Sequence, residues 1–189
     1  MAKKHVNGPF SFPVHDIVRL AGVMRTFQVE LSAPEKWGEG LVAVEAGASI
    51  ELDLRLEAVH EGILATGTAV VDYEGICGRC LTEITRPVEV EFQELFGYPG
   101  DETTDFVIVR DFVDVETLIR DAIVLSLPFQ PVCQPDCPGL DPETGEKLAA
   151  DADAATLDRT DPRWATLQTY TKDPDAEASR LDAEYTEES

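Results

Sequence analysis

The sequence predicts an α+β domain: an antiparallel β-sheet of about five to six strands packed by one main helix, with a disordered acidic tail at the C-terminus. Three observations carry this reading. Segments in the middle of the chain alternate apolar and charged residues with period two, the mark of strands with one dry and one wet face. A single convincing helical stripe follows them, so no helical crossovers separate the strands, which speaks against a parallel doubly wound sheet. Beyond Tyr170 the chain is Asp, Glu, Ala, Ser and Thr, too poor in apolar residues to fold alone.

The clearest strand is Ile50-Glu51-Leu52-Asp53-Leu54-Arg55-Leu56-Glu57, with four aliphatic residues on one face and four charges on the other. Val88-Glu89-Val90-Glu91-Phe92 repeats the device. Between them Ile63–Tyr73 is rich in β-formers, with Gly62 marking a turn and Gly67 a bulge. Residues 27–31, 41–45 and 106–109 give shorter strands, and Leu81–Pro87 also reads as strand. The helix starts after Asp114 as N-cap. Val115, Leu118, Ile119, Ala122 and Ile123 follow the 3.6-residue period, and Pro128 stops it. A short second helix is expected at 161–168, with Pro162 at its first position.

Charge divides the chain further. With 37 acidic and 15 basic residues among 189, the net charge is −22 at pH 7, which excludes a protein that coats nucleic acid through bulk positive potential. Residues 1–25 carry +3 through Lys3, Lys4, Arg19 and Arg25 against Asp16, and read as a basic N-terminal arm. Residues 26–140 then form the α+β core, 141–170 an extension and 171–189 the acidic tail. The longest uncharged stretch, 122–135, contains two internal prolines and falls short of the ~18 apolar residues of a membrane span. Lys3 and Lys4 are followed by Val6-Asn7-Gly8-Pro9 instead of an apolar signal segment, so a cytoplasmic location and no membrane partner are expected.

The four cysteines form two close pairs, Cys77-Gly78-Arg79-Cys80 and Cys133-Gln134-Pro135-Asp136-Cys137. Paired thiols in turns rich in Gly or Pro are how a tetrahedral zinc site is assembled, and four thiolates leave the ion no open position for hydrolysis. Gly78 is expected to permit the tight turn. Such a site staples the start of a strand to the segment after the helix, and binding supplies on the order of 10 kcal/mol. Three readings compete. A redox pair wants its first cysteine at a helix N-terminus, whereas a strand follows Cys80. Disulfides are disfavoured in a reducing cytoplasm, and four unrelated buried thiols are the bland alternative.

At these residues the sequence resembles the YceD family. The resemblance rests on Cys77-Gly78-Arg79-Cys80-Leu81, on the strand ending Glu91-Phe92-Gln93-Glu94-Leu95, and on Leu118-Ile119-Arg120-Asp121-Ala122-Ile123-Val124-Leu125-Ser126-Leu127-Pro128. Cys137-Pro138-Gly139-Leu140 and Asp161-Pro162-Arg163-Trp164-Ala165 look like its actinobacterial branch. The match spans roughly residues 14–168. It implies a metal-binding, non-enzymatic factor for accumulation of the large-subunit rRNA, with Cys77, Cys80, Cys133 and Cys137 as ligands. In that branch a further Cys-Pro-x-Cys-Gly follows, whereas Asp141 and Thr144 stand here at its cysteine positions. Retention of zinc then rests on the four remaining thiols, with Asp141 a poor oxygen substitute.

No other constellation competes. His5, His15 and His60 lie at no ligand spacing from one another, no phosphate-binding loop motif occurs, and Trp37 and Trp164 read as packing anchors. Two modes of action remain open. Local contact with large-subunit rRNA or a pre-50S particle would use Lys3, Lys4, Arg19, Arg25, Arg79 and Arg86. Alternatively the acidic body binds a basic ribosomal protein or assembly factor, with no RNA contact. A redox-responsive zinc switch is a third possibility, requiring exposed thiols of low pKa.

Overall fold

The computed structural model describes residues 8–100, 104–141, 144–149 and 163. Contacts group residues 1–148 into one unit and 149–189 into another, and the fold below belongs to the first. The expected helix at 161–168 (Arg163 aside) and the tail at 171–189 lie outside the described residues, as do Lys3, Lys4 and His5.

Among the described residues, eight strands and one helix follow in order: β1 Ser11–Pro13, β2 Met24–Ser32, β3 Val42–Ala43, β4 Ser49–Ala58, β5 Gly62–Ile76, β6 Glu83–Gly97, β7 Phe106–Val107, β8 Phe112–Asp114 and α1 Glu116–Ser126. The main sheet runs β2-β4-β5-β6-β7, with β3 taking over beside β5 where β4 has ended. Every pairing is antiparallel except the short β6–β7 contact at Phe96–Phe106 and Gly97–Val107. The alternation read from the sequence is the alternation of burial. Ile50, Leu52, Leu54 and Leu56 are buried, while Glu51, Asp53 and Arg55 are exposed and Glu57 is half-buried.

Gly67 sits in no bulge. Leu54, Gly67 and Phe92 share one rung of an uninterrupted ladder from Gly62↔Gly97 to Ile76↔Glu83. A Cβ at Gly67 would come 2.2 Å from the Asp53 carbonyl oxygen and 2.9 Å from the Phe92 ring, so close approach of the neighbouring chain requires the glycine. Pro87 is tolerated inside β6 because β7 covers only its last two residues, leaving the strand's other side unpaired there among the described residues.

The segment read as a basic arm is part of the core from Phe10 onward. Phe10, Phe12, Val14 and Ile17 are buried with the sheet residues, β1 pairs with β8, and Val14 donates to Asp111. Three rungs of β-ladder are too short to show in a sequence pattern, and the apolar residues of 10–17 carry more weight than the charges around them. At the helix, the cap position is taken by buried Val115. Asp114, one residue earlier, still accepts the N–H of Glu116 at 3.1 Å. Leu127 turns extended before Pro128 and ends the helix. Ile119 and Ile123 bury into the main core, and α1 packs along β6.

Candidate metal centre

β5 and β6 form a hairpin whose tip projects past the end of β4, whose Ile50 is opposite Val71. The connection at that tip is the first cysteine turn. Cys77 N–H donates to the Thr82 carbonyl and Leu81 N–H to that of Cys77, closing the turn at 2.8 and 3.0 Å. Gly78 is not the strained residue: a Cβ there would meet nothing nearer than 3.7 Å. The left-handed conformation falls instead on Leu81, at φ 56, with its side chain 60% exposed. The second cysteine turn leaves α1 and folds onto the tip, with Gly78 N–H donating to the Pro131 carbonyl at 2.8 Å.

The four sulfurs meet. All lie within 4.8 Å of one another, Cys77 to Cys137 at 3.9 Å and Cys80 to Cys133 at 3.6 Å, and none is in a disulfide. Four sulfurs bound to one ion at about 2.3 Å stand about 3.8 Å apart along the edges of a tetrahedron, so the cluster has the dimensions of a tetrathiolate site. Cys77, Cys80 and Cys137 are buried and Cys133 is half-buried, in a small cluster of their own with Val132 and Leu140, separate from the main core.

Protonation divides the two turns. The Cys77 thiol is lowered from 9.0 to about 6, chiefly by the Cys80 backbone N–H acting against burial. Cys80 is also lowered, first by the Thr82 hydroxyl 3.0 Å from its sulfur. Cys133 is pushed up to about 12, first by its contact with the Cys137 thiol, and burial raises Cys137. Thiolates crowded this closely repel one another unless a cation sits among them, and a coordinated thiol gives up its proton. The donor set therefore fits a thiophilic metal ion.

The family model described as "Large ribosomal RNA subunit accumulation protein YceD" matches residues 65–169. The chain belongs to the YceD family. Uncharacterized proteins of Mycobacterium tuberculosis and Mycobacterium bovis are 42% identical over 173 residues, covering 88% of this chain and 83% of theirs. One from Mycobacterium leprae is 37% identical over 172 residues, covering 87% and 79%. No solved structure matches the chain.

The remaining candidates of this YceD-family chain fall into place around that centre or away from it. Arg79 and Arg86, candidates for RNA contact, reach the second cysteine turn. Arg79 Nη1 donates to the carbonyls of Pro135 and Cys137 at 3.2 and 3.1 Å, and Arg86 Nη2 donates to that of Cys133 at 2.5 Å. Spacing alone gave no sign of this pairing, because the acceptors are backbone atoms some fifty residues away. Arg25 is ion-paired with Asp16, and Arg19 is exposed, its backbone N–H bonded to the Tyr98 hydroxyl at 3.0 Å. Asp141 is not in the sulfur cluster. Its carboxylate accepts the Thr144 N–H at 3.1 Å, closing a turn of its own where the related branch carries cysteines. His15 and His60 are exposed, and Trp37 is buried against Phe10. Among the described residues no helix is long and apolar enough to cross a membrane.

Proposed function

We propose that this protein is a non-enzymatic, cytoplasmic factor in accumulation and maturation of the large-subunit (23S) rRNA. In this reading Cys77, Cys80, Cys133 and Cys137 hold a structural zinc ion. Family membership supports the process, and the convergence of the four sulfurs within 4.8 Å of one another supports the metal. Zinc is the choice among thiophilic ions because a closed tetrathiolate site without redox demand is its commonest structural use. Depleting the protein is expected to lower 23S relative to 16S rRNA, and Cys77→Ser should restore less than the wild-type chain does. An unchanged 23S to 16S ratio on depletion would refute the assignment.

Between the two modes of action, the positions of the arginines favour a protein partner. Arg79 and Arg86 hydrogen-bond the backbone of the cysteine turn and Arg25 is paired with Asp16, so these three side chains already have partners that a phosphate would have to displace or share. The acidic body instead suits a basic ribosomal protein or assembly factor, held until it is delivered to the pre-50S particle. A pull-down of ribosomal proteins that weakens with salt is the expected result. Retention of rRNA by a chain stripped of protein partners would favour the RNA mode.

A further inference from the structure

We propose that the outer edge of β2 is a docking site for an extended, lysine- and arginine-rich segment of a protein partner, which adds to the sheet as one more strand. The inference rests on the reading of this chain as a receptor for basic proteins, and specifies where and how such a protein would bind.

β2 is the terminal strand of the main sheet, and among the described residues nothing pairs with its far side. Its backbone register says which groups are on offer. Ala58 donates to the Val23 carbonyl and Ala33 to that of Ala48, so the odd-numbered residues exchange hydrogen bonds with β4. The even-numbered residues, Met24, Thr26, Gln28, Glu30 and Ser32, therefore turn their N–H and C=O groups outward. Open edges of this kind are ordinarily blunted by proline, lysine, a bulge or shortness. Met24–Ser32 is nine residues long, lacks Pro and Lys, and pairs one-to-one with β4 throughout, and its single cation, Arg25, lies near the strand's start and is ion-paired with Asp16.

Side chains on both faces suit an added strand. On the inner face Phe27, Val29 and Leu31 are only half-buried, while Leu54, Leu52 and Ile50 opposite them are at most 3% exposed. The apolar layer thus thins at the edge, where aliphatic side chains from another strand would continue it. On the outer face Glu30 is opposite Glu51 and Gln28 opposite Asp53, lining a shallow groove of about 370 Å³ with Thr68 and Val70. Glu89 and Glu91 continue the same rungs on β6. Glu30 and Asp53 meet neutral donors, Ser49 and Gln28, and no ion pair reaches Glu30, Glu51 or Asp53 among the described residues. A strand with Lys or Arg at alternate positions places one of them beside Glu30, within the cross-strand distance at which opposite charges attract, while Glu51 and Asp53 stand one strand further in and are met only by the extended ends of such side chains. A second copy of this chain would bring carboxylate against carboxylate, and RNA would bring phosphate.

The test titrates full-length, metal-loaded protein with a short peptide of alternating lysine and valine, read by fluorescence anisotropy and backbone amide NMR. Expected are saturable binding with shifts centred on Thr26, Gln28 and Glu30, and a loss of about tenfold or more in the double variant Glu30→Lys/Asp53→Lys. A peptide N-methylated at its edge-facing amides should lose about as much, without any change to the protein. Equal binding of the methylated peptide, shifts elsewhere, or equal binding of an alternating aspartate–valine peptide would overturn the edge site. So would concentration-dependent dimerisation abolished by the charge reversal, or displacement of the peptide by single-stranded RNA. Basic ribosomal proteins still captured by the charge-reversed variant would refute this location while leaving the receptor reading intact. Capture of none by the wild-type chain would refute the receptor reading itself.

Discussion

The two ends of the β5–β6 hairpin are held by different chemistry. At the Gly62–Gly97 end, β5 lies between β4 and β6, and Ile63, Ala65, Phe92 and Phe96 are buried in the main core with Ile119 and Ile123 of the helix. At the Ile76–Glu83 end β4 has stopped, Ile76 is 41% exposed, and among the described residues β5 is flanked there by the two residues of β3 and by the Leu41 carbonyl, which accepts from Ile76 N–H. There the four cysteines form a separate cluster. A broad apolar core loses a part of its stability with each side chain removed. A four-donor site is cooperative, because removing one ligand forfeits most of what the ion contributes. The hairpin tip therefore depends on few atoms and the hairpin base on many.

The largest effect should come from the four cysteines. Cys77→Ser or Cys133→Ser is expected to lower metal content and thermal stability together, by several kcal/mol out of the roughly 10 kcal/mol such a site supplies. Elemental analysis of protein purified without a histidine tag, paired with calorimetry, checks it. Unchanged stoichiometry and melting in both variants would remove the metal from the account. Leu54→Ala is the converse break, at the base: it should cost about 3 kcal/mol by denaturant unfolding while metal content stays the same. Loss of metal on that substitution would show that the two ends are not independent.

A finer separation is available at Arg86. Its guanidinium holds the Cys133 carbonyl, not the sulfur, so Arg86→Ala should weaken metal affinity about 10- to 100-fold, measured by competition with a chromophoric chelator. Arg86→Lys should recover part of the loss, having a charge but no planar fork. If Arg86 served RNA alone, both variants would keep wild-type metal affinity. The smallest effect is expected at Leu81, where glycine relieves the left-handed strain at an exposed position and should stabilise the tip by about 0.5–1 kcal/mol. A melting temperature lower than wild type in Leu81→Gly would mean that the leucine side chain supplies packing that its exposure does not reveal.

Much of this comparison was legible in the residues themselves. The alternation at 50–57 and 88–92, the helical stripe ending before Pro128 and the paired cysteines are local signals, each complete within about ten residues. Less legible were features made of single contacts between distant segments. The packing of Phe10–Ile17 depends on a three-rung pairing with Phe112–Asp114, and the roles of Arg79 and Arg86 depend on carbonyls of a turn some fifty residues later. Gly67 looked like a bulge because sequence shows only that the side chain is missing. The neighbour that forbids one, the Asp53 carbonyl, comes from another strand.

The sequence by itself determined the longer strands and the helix, which of their faces are wet, and that the four cysteines come in two close pairs. Backbone sterics and solvent partition set those outcomes residue by residue. Only the tertiary structure decided that the pairs meet at the hairpin tip, that Arg79 and Arg86 donate to the backbone of the second cysteine turn, and that among the described residues the outer edge of β2 is unpaired. Those outcomes depend on which segments become neighbours, and neighbours are chosen by the packing of the whole core.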